Sequence, residues 1–418
     1  MLPAYAKAHG YNFSVREGWL TGCLSRIMSE KKDDEKITLG VCFPANDEAV
    51  SSSEVIDGIT YYGFKEDLSH PEIYDGTVEN RFHIILDDFK PDIVHIFGTE
   101  FPHSLAMIRA FGAPDKVLLG IQGVCAAIAN EYMAGLPLEV QRSATFRDRL
   151  REDSLMQQQE KFRIRAEHER EAVLLAGNVS GRTSFDRQQI LSINPKVRYF
   201  AVNETMRPCF YMGKWGEKRS EAHSIFLSQG DYPLKGFHFM LKAMPAILEK
   251  YPDAHLYVAG NNIIGRGESK YPYFMRASAY GKYLKSLISK GRLKKKVTML
   301  GMLDDAGMKE QLLKCSVFVC PSVIENSPNS LAEAMLLGVP VVASRTGGIP
   351  DMVQHGKDGV LFETGNAEAL AKSILQLWDE PVIAAVYGDN ASAHARITHN
   401  ADTNYRQLME AYRTIYAL

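Results

Sequence analysis

Two glutamates, Glu325 and Glu333, could do chemistry together because of what lies between them. Seven residues separate them, and this stretch includes Ser327 and Pro328. Serine is a good cap for a helix N-terminus, and proline suits the first helical turn. The sequence therefore predicts a loop that carries Glu325, a helix that begins near Pro328 or Asn329, and Glu333 about one turn into that helix.

This arrangement suits a ligand that carries both phosphates and hydroxyl groups. A helix N-terminus presents unpaired N–H groups and the positive end of the helix dipole, which favour a diphosphate. A carboxylate one turn into the helix can accept hydrogen bonds from two vicinal hydroxyls, as a ribose presents, while one in the preceding loop lies beyond the phosphates. Either acid alone is typical of a solvated surface residue, but Glu325 and Glu333 together predict a nucleotide-sugar site.

The elements that would position this pair alternate along the chain. Short apolar runs bounded by Gly, Pro or Asn are separated by stretches with helical periodicity, such as residues 237–250 and 331–337. This alternation predicts parallel α/β sheets, and runs that are apolar on both faces suit strands buried between helix layers. The predicted strands are residues 37–43, 93–97, 116–121, 198–202, 224–228, 255–259, 297–300, 317–320, 340–343 and 359–362.

A polar stretch at residues 204–223, with scattered Gly and Pro and no apolar periodicity, predicts the main domain boundary. Two domains are expected because single cores stop growing at about 250–300 residues. We predict an N-terminal α/β domain over residues 1–205, a C-terminal one over 206–395, and a helix over 396–418 that packs back on the first domain. Ligands of open α/β sheets bind at the carboxyl ends of the strands, so a cleft between such domains is the expected site.

Composition and charge exclude several classes of protein. The chain has 418 residues and carries 48 Lys and Arg against 50 Asp and Glu, and this near balance argues against a nucleic-acid binder. No apolar run reaches the ~18–20 residues that span a bilayer. The six cysteines form no CxxC pair, and no Cys/His cluster has zinc-site spacing. A reducing, cytoplasmic location and no bound metal are therefore expected.

Two segments are rich in charge. Residues 281–296 carry seven Lys or Arg and no acid. They indicate either a solvated helix face and turn or a patch that touches anionic lipid. Residues 141–170 mix both signs and predict an exposed helix pair, a candidate lid over the N-terminal domain.

Further motifs follow Glu325, and together they point to a family. They are Glu-Ala-Met at 333–335, Gly-Val-Pro-Val-Val-Ala-Ser at 338–344, Gly-Gly-Ile-Pro-Asp at 347–351 and His-Gly at 355–356. The segment resembles the E-x7-E signature of family-4 glycosyltransferases, strongly over residues 224–362 and more weakly over the N-terminal domain. The resemblance implies the GT-B fold, with two Rossmann-like domains whose parallel sheets face a central cleft. Residues 1–15 contain no convincing strand, so the first strand of the N-terminal domain is expected to be missing or truncated.

The resemblance also implies roles for residues of the donor site. Glu333 would bind the nucleotide ribose, and Glu325 would contact the donor sugar and take part in catalysis. The family places an arginine and a lysine on the diphosphate; Lys235 matches the lysine, and Gln229 stands where the arginine is expected. Gly18 resembles part of a glycine-rich loop that closes on the donor phosphates. The backbone amides that would hold the distal phosphate belong to Asn329, Ser330 and Leu331.

Four residues of the N-terminal domain are further candidates. Residues 91–106 resemble a segment of polysaccharide-building members, which implies that Glu100 and His103 face the cleft as catalytic-site residues. An equally open interpretation of His103 is a polar residue at a helix N-terminus. Gln122 stands where many members carry a catalytic-site histidine, and Arg182 is a candidate for an acceptor or cleft role.

The resemblance implies a retaining hexosyltransferase. It would move a sugar from a UDP- or GDP-sugar to a glycan or lipid-linked acceptor, in polysaccharide assembly at the inner face of the plasma membrane. No Asp-x-Asp triplet occurs, and the fold needs none, so no metal or other cofactor is expected. Two alternatives stay open: a nucleotide-sugar 2-epimerase on the same fold, and a non-catalytic nucleotide-sugar binder, to which Gln229 and Gln122 give weight.

Overall fold

The structure is a computed structural model that describes residues 3–10, 18–30, 37–45, 53–265, 275 and 277–418. The strands within these ranges are β1 (Leu39–Pro44), β2 (Glu54–Ile56), β3 (Ile59–Phe64), β4 (Val94–Phe97), β5 (Val117–Gly120), β6 (Asn178–Gly181), β7 (Arg198–Ala201), β8 (Ser224–Leu227), β9 (His255–Ala259), β10 (Val297–Gly301), β11 (Val317–Cys320), β12 (Val341–Ser344) and β13 (Val360–Phe362). The α-helices are Pro3–His9, Gly18–Glu30, Thr77–Phe89, His103–Phe111, Cys125–Glu131, Leu138–Gln141, Phe146–Leu150, Leu155–Leu175, Ser184–Ile193, Phe237–Lys250, Ala279–Lys290, Asp305–Lys314, Asn329–Leu337, Ile349–Met352, Ala367–Asp379, Pro381–Thr398 and Ala401–Tyr416.

The chain forms two compact units. The first comprises Met1–Ala126, Lys161–Arg207 and His399–Leu418, and the second comprises Ala127–Glu160 and Pro208–Thr398. The passage from Arg207 to Pro208 lies close to the predicted boundary at residue 205. The segment Ala127–Glu160, which the predicted first domain includes, belongs to the second unit instead.

Hydrogen bonds explain why Ala127–Glu160 joins the second unit. The ammonium of Lys242 donates to the carbonyl oxygen of Gly135 at 3.1 Å. The buried carboxylate of Asp148 accepts from the backbone N–H of Ala279 at 2.9 Å, at the start of the helix Ala279–Lys290. The first part of the candidate lid, as far as Glu160, therefore belongs to the second unit, and the lid itself stays a prediction.

The first unit contains two sheets. One has the order β4-β5-β6-β7 with every pair parallel, and β5 and β6 are buried at every residue. The other has the order β1-β3-β2, with β3 parallel to β1 and antiparallel to β2. Among the described residues that precede β1, the chain forms the helices Pro3–His9 and Gly18–Glu30 and no strand.

The second unit is built on a parallel six-stranded sheet with the order β10-β9-β8-β11-β12-β13. The strands β8, β11 and β12 are buried at every residue, as the runs that are apolar on both faces predict. The chain proceeds outward from β8 in one direction and from β11 in the other. The carboxyl ends of β8 and β11 therefore meet at the topological switch point, where open α/β sheets bind ligands.

Candidate active site

The helix that follows β11 begins where the sequence predicts. Pro328 has extended backbone angles and precedes the helix Asn329–Leu337, which ends at Gly338 in the left-handed conformation. Glu325 lies in the loop before this helix, and Glu333 lies about one turn into it. Both glutamates are therefore placed at the switch point of the second unit by one strand–loop–helix element.

The carboxylate of Glu325 already has two partners. Its Oε1 accepts a hydrogen bond from Lys235 Nζ at 2.6 Å and another from Ser322 Oγ at 2.8 Å. Lys235 comes from the loop after β8, so the ion pair joins the two strand ends that meet at the switch point. The lysine side chain is 21% exposed and the glutamate side chain 14% exposed, so solvent still reaches the pair.

The surroundings of Lys235 favour its charged form. Burial acts to lower the pKa of Lys235, but the adjacent carboxylate of Glu325 and the phenol of Tyr232 outweigh it and raise the pKa above its ordinary value. The ammonium also lies 5.7 Å from the centre of the Tyr232 ring. Lys235 is therefore a permanent cation at neutral pH.

Close backbone contacts fix the two loops of this site against each other. The Val323 N–H donates to the Leu234 carbonyl at 2.8 Å. Gly236 has a φ of +69°, and a Cβ there would lie 1.8 Å from the carbonyl oxygen of Pro321. A Cβ on Gly347 would lie 1.9 Å from the carbonyl oxygen of Glu325. Glycine is required at both positions because the loop that carries Glu325 runs directly against them.

The N-terminal turn of the helix Asn329–Leu337 offers polar groups next to this pair. Ser330 Oγ accepts a hydrogen bond from Ser228 Oγ at 2.9 Å, and Asn329 Oδ1 is buried with no hydrogen-bond partner among the described residues. The Leu331 N–H donates to the Pro328 carbonyl at 3.0 Å, so the predicted phosphate contact would share this donor. Glu333 is buried, with 3% of its surface exposed.

Gln229 occupies the position where the family places an arginine, and the acidic residue Asp231 follows two positions later. Gln229 follows β8, and its Cγ would lie 3.5 Å from a Cβ placed on Gly260. Asp231 accepts a hydrogen bond from Asn261 Nδ2 at 2.7 Å, while its Oδ1 is buried and has no partner among the described residues. Sequence reasoning missed Asp231, since one acid in a polar loop carries no signal.

In the first unit, Glu100 connects the loops after β4 and β5. Its carboxylate accepts from the backbone N–H groups of Thr99 at 3.0 Å and Gly123 at 2.6 Å. His103 is the first residue of its helix, and its Nδ1 lies 2.7 Å from the carboxylate of Glu66. Both residues thus have structural partners at this sheet edge.

A buried carboxyl group lies beneath the same loops. Glu169 accepts hydrogen bonds from Thr99 Oγ1 at 2.5 Å and from the Cys125 N–H at 2.9 Å. Burial, with a smaller contribution from Glu100, raises the pKa of Glu169 to about 7. Sequence reasoning missed this residue because its immediate neighbours in the helix, His168 and Arg170, are polar.

The remaining candidates lie as follows. Gln122 and Arg182 lie just beyond β5 and β6 and line one cavity of the first unit. Gly18 is the first residue of the helix Gly18–Glu30, and residues 11–17 before it lie outside the described residues. In the described parts of the chain, no cluster of three or more His, Cys, Asp or Glu could hold a metal ion.

The basic segment 281–296 consists of most of the helix Ala279–Lys290 and the turn after it. Five of its cations are exposed, and Lys296 instead donates to the Pro252 carbonyl at 2.5 Å. The exposed cations are Lys282, Lys290, Arg292, Lys294 and Lys295. Within the described ranges, no helix is both long enough and apolar enough to cross a membrane.

Comparisons with known proteins agree with this geometry. Residues 222–380 match the family described as "Glycosyl transferases group 1". Phosphatidyl-myo-inositol mannosyltransferase of Mycobacterium leprae is 29% identical over 192 residues, which is 46% of each chain. The amylovoran biosynthesis glycosyltransferase AmsK of Erwinia amylovora is 34% identical over 135 residues, 30% of this chain and 33% of AmsK. The chain thus spans about half, or less, of the length of these curated relatives.

Solved structures share the whole architecture. Sucrose-phosphate synthase from Thermosynechococcus elongatus superposes with a TM-score of 0.67 over 96% of this chain and 93% of its own, at 14% identity. Anabaena Alr3699/HepE, solved with UDP and glucose, gives 0.65 over 96% and 97%, at 16% identity. At these identities the likeness shows the fold alone.

The fold and these matches define the class of protein. The chain has the GT-B fold with two Rossmann-like units, which confirms the predicted fold class. Residues 222–380, which carry Lys235, Glu325 and Glu333, match the group 1 glycosyltransferase family, and the similar proteins include ones named for amylovoran biosynthesis and for mannosyl transfer to phosphatidyl-myo-inositol.

Proposed function

We propose that this chain is a retaining family-4 hexosyltransferase that transfers a sugar from a nucleotide diphosphate sugar to a hydroxyl of a glycan or lipid-linked acceptor. The observation that carries the proposal is the ion pair between Lys235 and Glu325, 2.6 Å apart, at the switch point of a group 1 glycosyltransferase domain. The N-terminus of the helix Asn329–Leu337 lies in the same strand–loop–helix element.

The residues of this site suit the departure of a diphosphate. Lys235 is charged at neutral pH, and the first turn of the helix adds N–H donors, so developing negative charge on the leaving phosphate meets fixed positive charge. Glu333 would bind the ribose, and Glu325 would contact the sugar beyond the phosphates. In this proposal Lys235 exchanges part of its contact with Glu325 for the diphosphate, which places the carboxylate next to the reacting sugar.

The proposed reaction needs no metal ion. Lys235 and the helix N-terminus together supply the positive charge that a divalent cation would otherwise provide to the leaving group. Transfer should therefore proceed at an unchanged rate in excess chelator. A complete loss of transfer that added magnesium or manganese restores would contradict this part of the proposal.

Related proteins guide the choice of donor and acceptor. HepE was solved with UDP and glucose, and a relative from Corynebacterium glutamicum is named as GDP-mannose-dependent. We therefore propose a UDP- or GDP-hexose as donor. Because the Mycobacterium leprae relative is named as a lipid mannosyltransferase, and because five exposed cations cluster in residues 281–296, we propose a cytoplasmic protein that touches the inner face of the plasma membrane.

A single set of assays tests this function. Thermal shifts with UDP, GDP and ADP should identify one preferred nucleotide, because a ligand that binds the folded state raises its apparent stability. The matching sugar nucleotide should then support transfer, and Glu325→Gln should lower the transfer rate by about 100-fold or more while nucleotide binding persists.

The same assays separate the alternatives. A donor that is converted to its C2 epimer without acceptor, followed by NMR, would indicate an epimerase. Nucleotide binding without transfer to any glycan or lipid fraction, together with no effect of Glu325→Gln, would indicate a non-catalytic binder. Inversion at the anomeric carbon, read from the coupling constant of the product, would contradict retention.

A further inference from the structure

The segment Ala127–Glu160 lies outside residues 222–380, which match the glycosyltransferase family, yet it belongs to the second unit. It contacts the first turns of two helices of that unit, Phe237–Lys250 and Ala279–Lys290. The first of these helices begins two residues after Lys235. The segment therefore packs against the element that carries the cation of the proposed donor site.

Gly135 packs directly against the first turn of the helix Phe237–Lys250. Gly135 has a φ of +69°, and a Cβ there would lie 2.5 Å from Phe239 Cε1 and closer still to Phe239 Cζ. The Phe239 ring is buried, and its Cζ also lies 3.5 Å from the position of a Cβ on Gly365. Because the interior is close-packed, a side chain at residue 135 would displace Phe239 together with the helix turn that carries it.

Two more side chains of this helix face the loop that carries Gly135. The ammonium of Lys242 donates to the Gly135 carbonyl at 3.1 Å and lies 5.2 Å from the centre of the Phe239 ring. His238 Nε2 lies 3.3 Å from the position of a Cβ on Gly135. Because residues three and four apart share one face of a helix, His238, Phe239 and Lys242 present a single surface to this loop.

Asp148 connects the same segment to the second helix. Its buried carboxylate accepts a hydrogen bond from the Ala279 N–H at 2.9 Å, at the N-terminus of the helix Ala279–Lys290. The hydroxyl of the next residue, Tyr280, lies 3.2 Å from His238 Nδ1. The segment therefore reaches His238 in two ways, directly through its loop and indirectly through Asp148.

The backbone connects this helix turn to Lys235. The carbonyl of Pro233 accepts from the Gly236 N–H at 2.9 Å, and the carbonyl of Gly236 accepts from the Phe239 N–H at 2.9 Å. One turn of 3-10 helix thus runs from Pro233 through Lys235 directly into the α-helix. A displacement of Phe239 therefore moves Lys235 as well.

We propose that Gly135 and Asp148 are positioning residues of the donor site, which hold the first turn of the helix Phe237–Lys250 so that the Lys235 ammonium meets the donor diphosphate. Neither residue touches the ligand. They act through the backbone of the helix turn, since an ammonium must lie within about 3 Å of a phosphate oxygen to form a hydrogen bond. The inference rests on the proposed function only where it assigns Lys235 to the diphosphate.

Calorimetric titration of the full chain with UDP and GDP tests this role. Gly135→Ala should weaken binding of the preferred nucleotide by about 10-fold, because the displaced ammonium loses part of a charged hydrogen bond. Gly213→Ala is the matched control and should leave the affinity unchanged. Gly213 belongs to the same unit and has a φ of +99°, but a Cβ there would make an ordinary contact at 3.4 Å with the Lys309 side chain.

A double-mutant cycle separates positioning from general damage. In a chain that carries Lys235→Met, Gly135→Ala should cause no further loss of nucleotide affinity, because the group that it positions is absent. Equal losses in the two backgrounds would overturn the positioning role of Gly135.

Asp148 allows a test by conservative substitution. Asp148→Asn keeps an oxygen for the Ala279 N–H and should bind the nucleotide as the native chain does, whereas Asp148→Ala should weaken binding by about 5-fold. Equal affinities for these two variants would overturn the role of Asp148. If Gly135→Ala does not fold, the difference between the two Asp148 variants decides the proposal.

A direct measurement on Lys235 separates this inference from the proposed function. After reductive methylation with 13C-formaldehyde, the NMR resonance of Lys235, assigned by its absence in Lys235→Met, reports the surroundings of the amine without any nucleotide. We expect Gly135→Ala to shift this resonance and Gly213→Ala to leave it unchanged. A shift in a chain that binds no nucleotide would support the positioning role and overturn the proposed transferase. An unchanged resonance would overturn the positioning role even where transfer occurs.

Discussion

Each unit places one basic and one acidic side chain at the carboxyl ends of parallel strands. The two pairs differ in how far solvent reaches them. Lys235 and Glu325 are 21% and 14% exposed, whereas Arg182 and Glu204 are 5% and 8% exposed. A partly solvated lysine can leave its partner for a phosphate. A buried arginine fixed by two carbonyl groups cannot do so without uncovering a buried charge. The pair of the second unit is therefore suited to exchange one partner for a charged ligand, whereas the pair of the first unit is a fixed structural contact.

The largest expected loss of stability follows from a substitution at Gly236, next to the ion pair of Lys235 and Glu325. A Cβ on Gly236 would lie 1.8 Å from the Pro321 carbonyl oxygen, so Gly236→Ala must push apart the loops that carry Lys235 and Glu325. We expect unfolding in denaturant to show a loss of about 4 kcal/mol or more.

Gly301 provides the matched control for that substitution. It has a φ of +78° in the same unit, and a Cβ there would meet nothing within 4 Å. Gly301→Ala should therefore lower the free energy of unfolding by only about 1–2 kcal/mol, the cost of placing an alanine in the left-handed conformation. Equal losses for the two alanine variants would show that the close approach at Pro321 does not hold the site together.

In the first unit, the buried carboxyl group of Glu169 makes stability depend on pH. Its pKa is about 7 in the folded chain against an ordinary value of 4.5, so the folded state holds a proton that the unfolded state releases. Between these two pH values the unfolded state binds fewer protons, and stability falls by about 3 kcal/mol as pH rises. Glu169→Gln keeps an acceptor for the Cys125 N–H and should remove this loss.

Denaturant unfolding at pH 5, 6, 7 and 8 measures the effect of Glu169→Gln. The free energy of unfolding of the variant should rise relative to that of the native chain as pH rises. This difference should level off above pH 7. Glu167→Gln, at an exposed position of the same helix, should follow the native chain at every pH. A constant difference between Glu169→Gln and the native chain would contradict a buried proton at this position.

The sequence predicted the second unit more completely than the first. The strands β9 and β11 fall at the predicted residues, and the helix Asn329–Leu337 begins at its predicted turn, because these runs are apolar and bounded by clear breakers. β6 was missed, since Asn178–Gly181 has one large apolar side chain, and its burial comes from neighbours distant in sequence. β2 and β3 were missed as well.

The candidate sites show the same limit. The spacing of Glu325 and Glu333 predicts a local element, so both could be found from the sequence. The contact between Arg182 and Glu204 depends on a C-terminal segment that holds the Glu204 carbonyl, and no local pattern carries that information. Glu169 was missed for a related reason, because the polar residues next to it in the helix indicate an exposed position.

A smaller effect, on nucleotide affinity, tests whether Lys235 can leave Glu325 for a phosphate. If its ammonium leaves Glu325 for the donor, Lys235→Met should weaken UDP or GDP binding by about 10–100-fold, since hydrogen bonds to charged groups contribute about 1.5–3 kcal/mol. Calorimetric titration measures this change. Lys250→Met removes an exposed lysine paired with Asp379 in the same unit and should leave the affinity unchanged. Equal affinities for the native chain and Lys235→Met would exclude the lysine from the phosphate site.

The smallest expected effect is on the binding of lipid vesicles by the surface of the second unit. Lys294 is exposed in the basic turn of residues 281–296, and each such cation contributes about 1 kcal/mol to binding an anionic membrane surface. Lys294→Gln should therefore weaken co-sedimentation with vesicles containing phosphatidylglycerol by about 5-fold at low salt, while neutral phosphatidylcholine vesicles bind neither protein. Lys218→Gln, at another exposed lysine of the same unit, supplies the control. If both variants lose vesicle binding equally, residues 281–296 are an ordinary solvated surface and only overall charge attracts the chain to lipid.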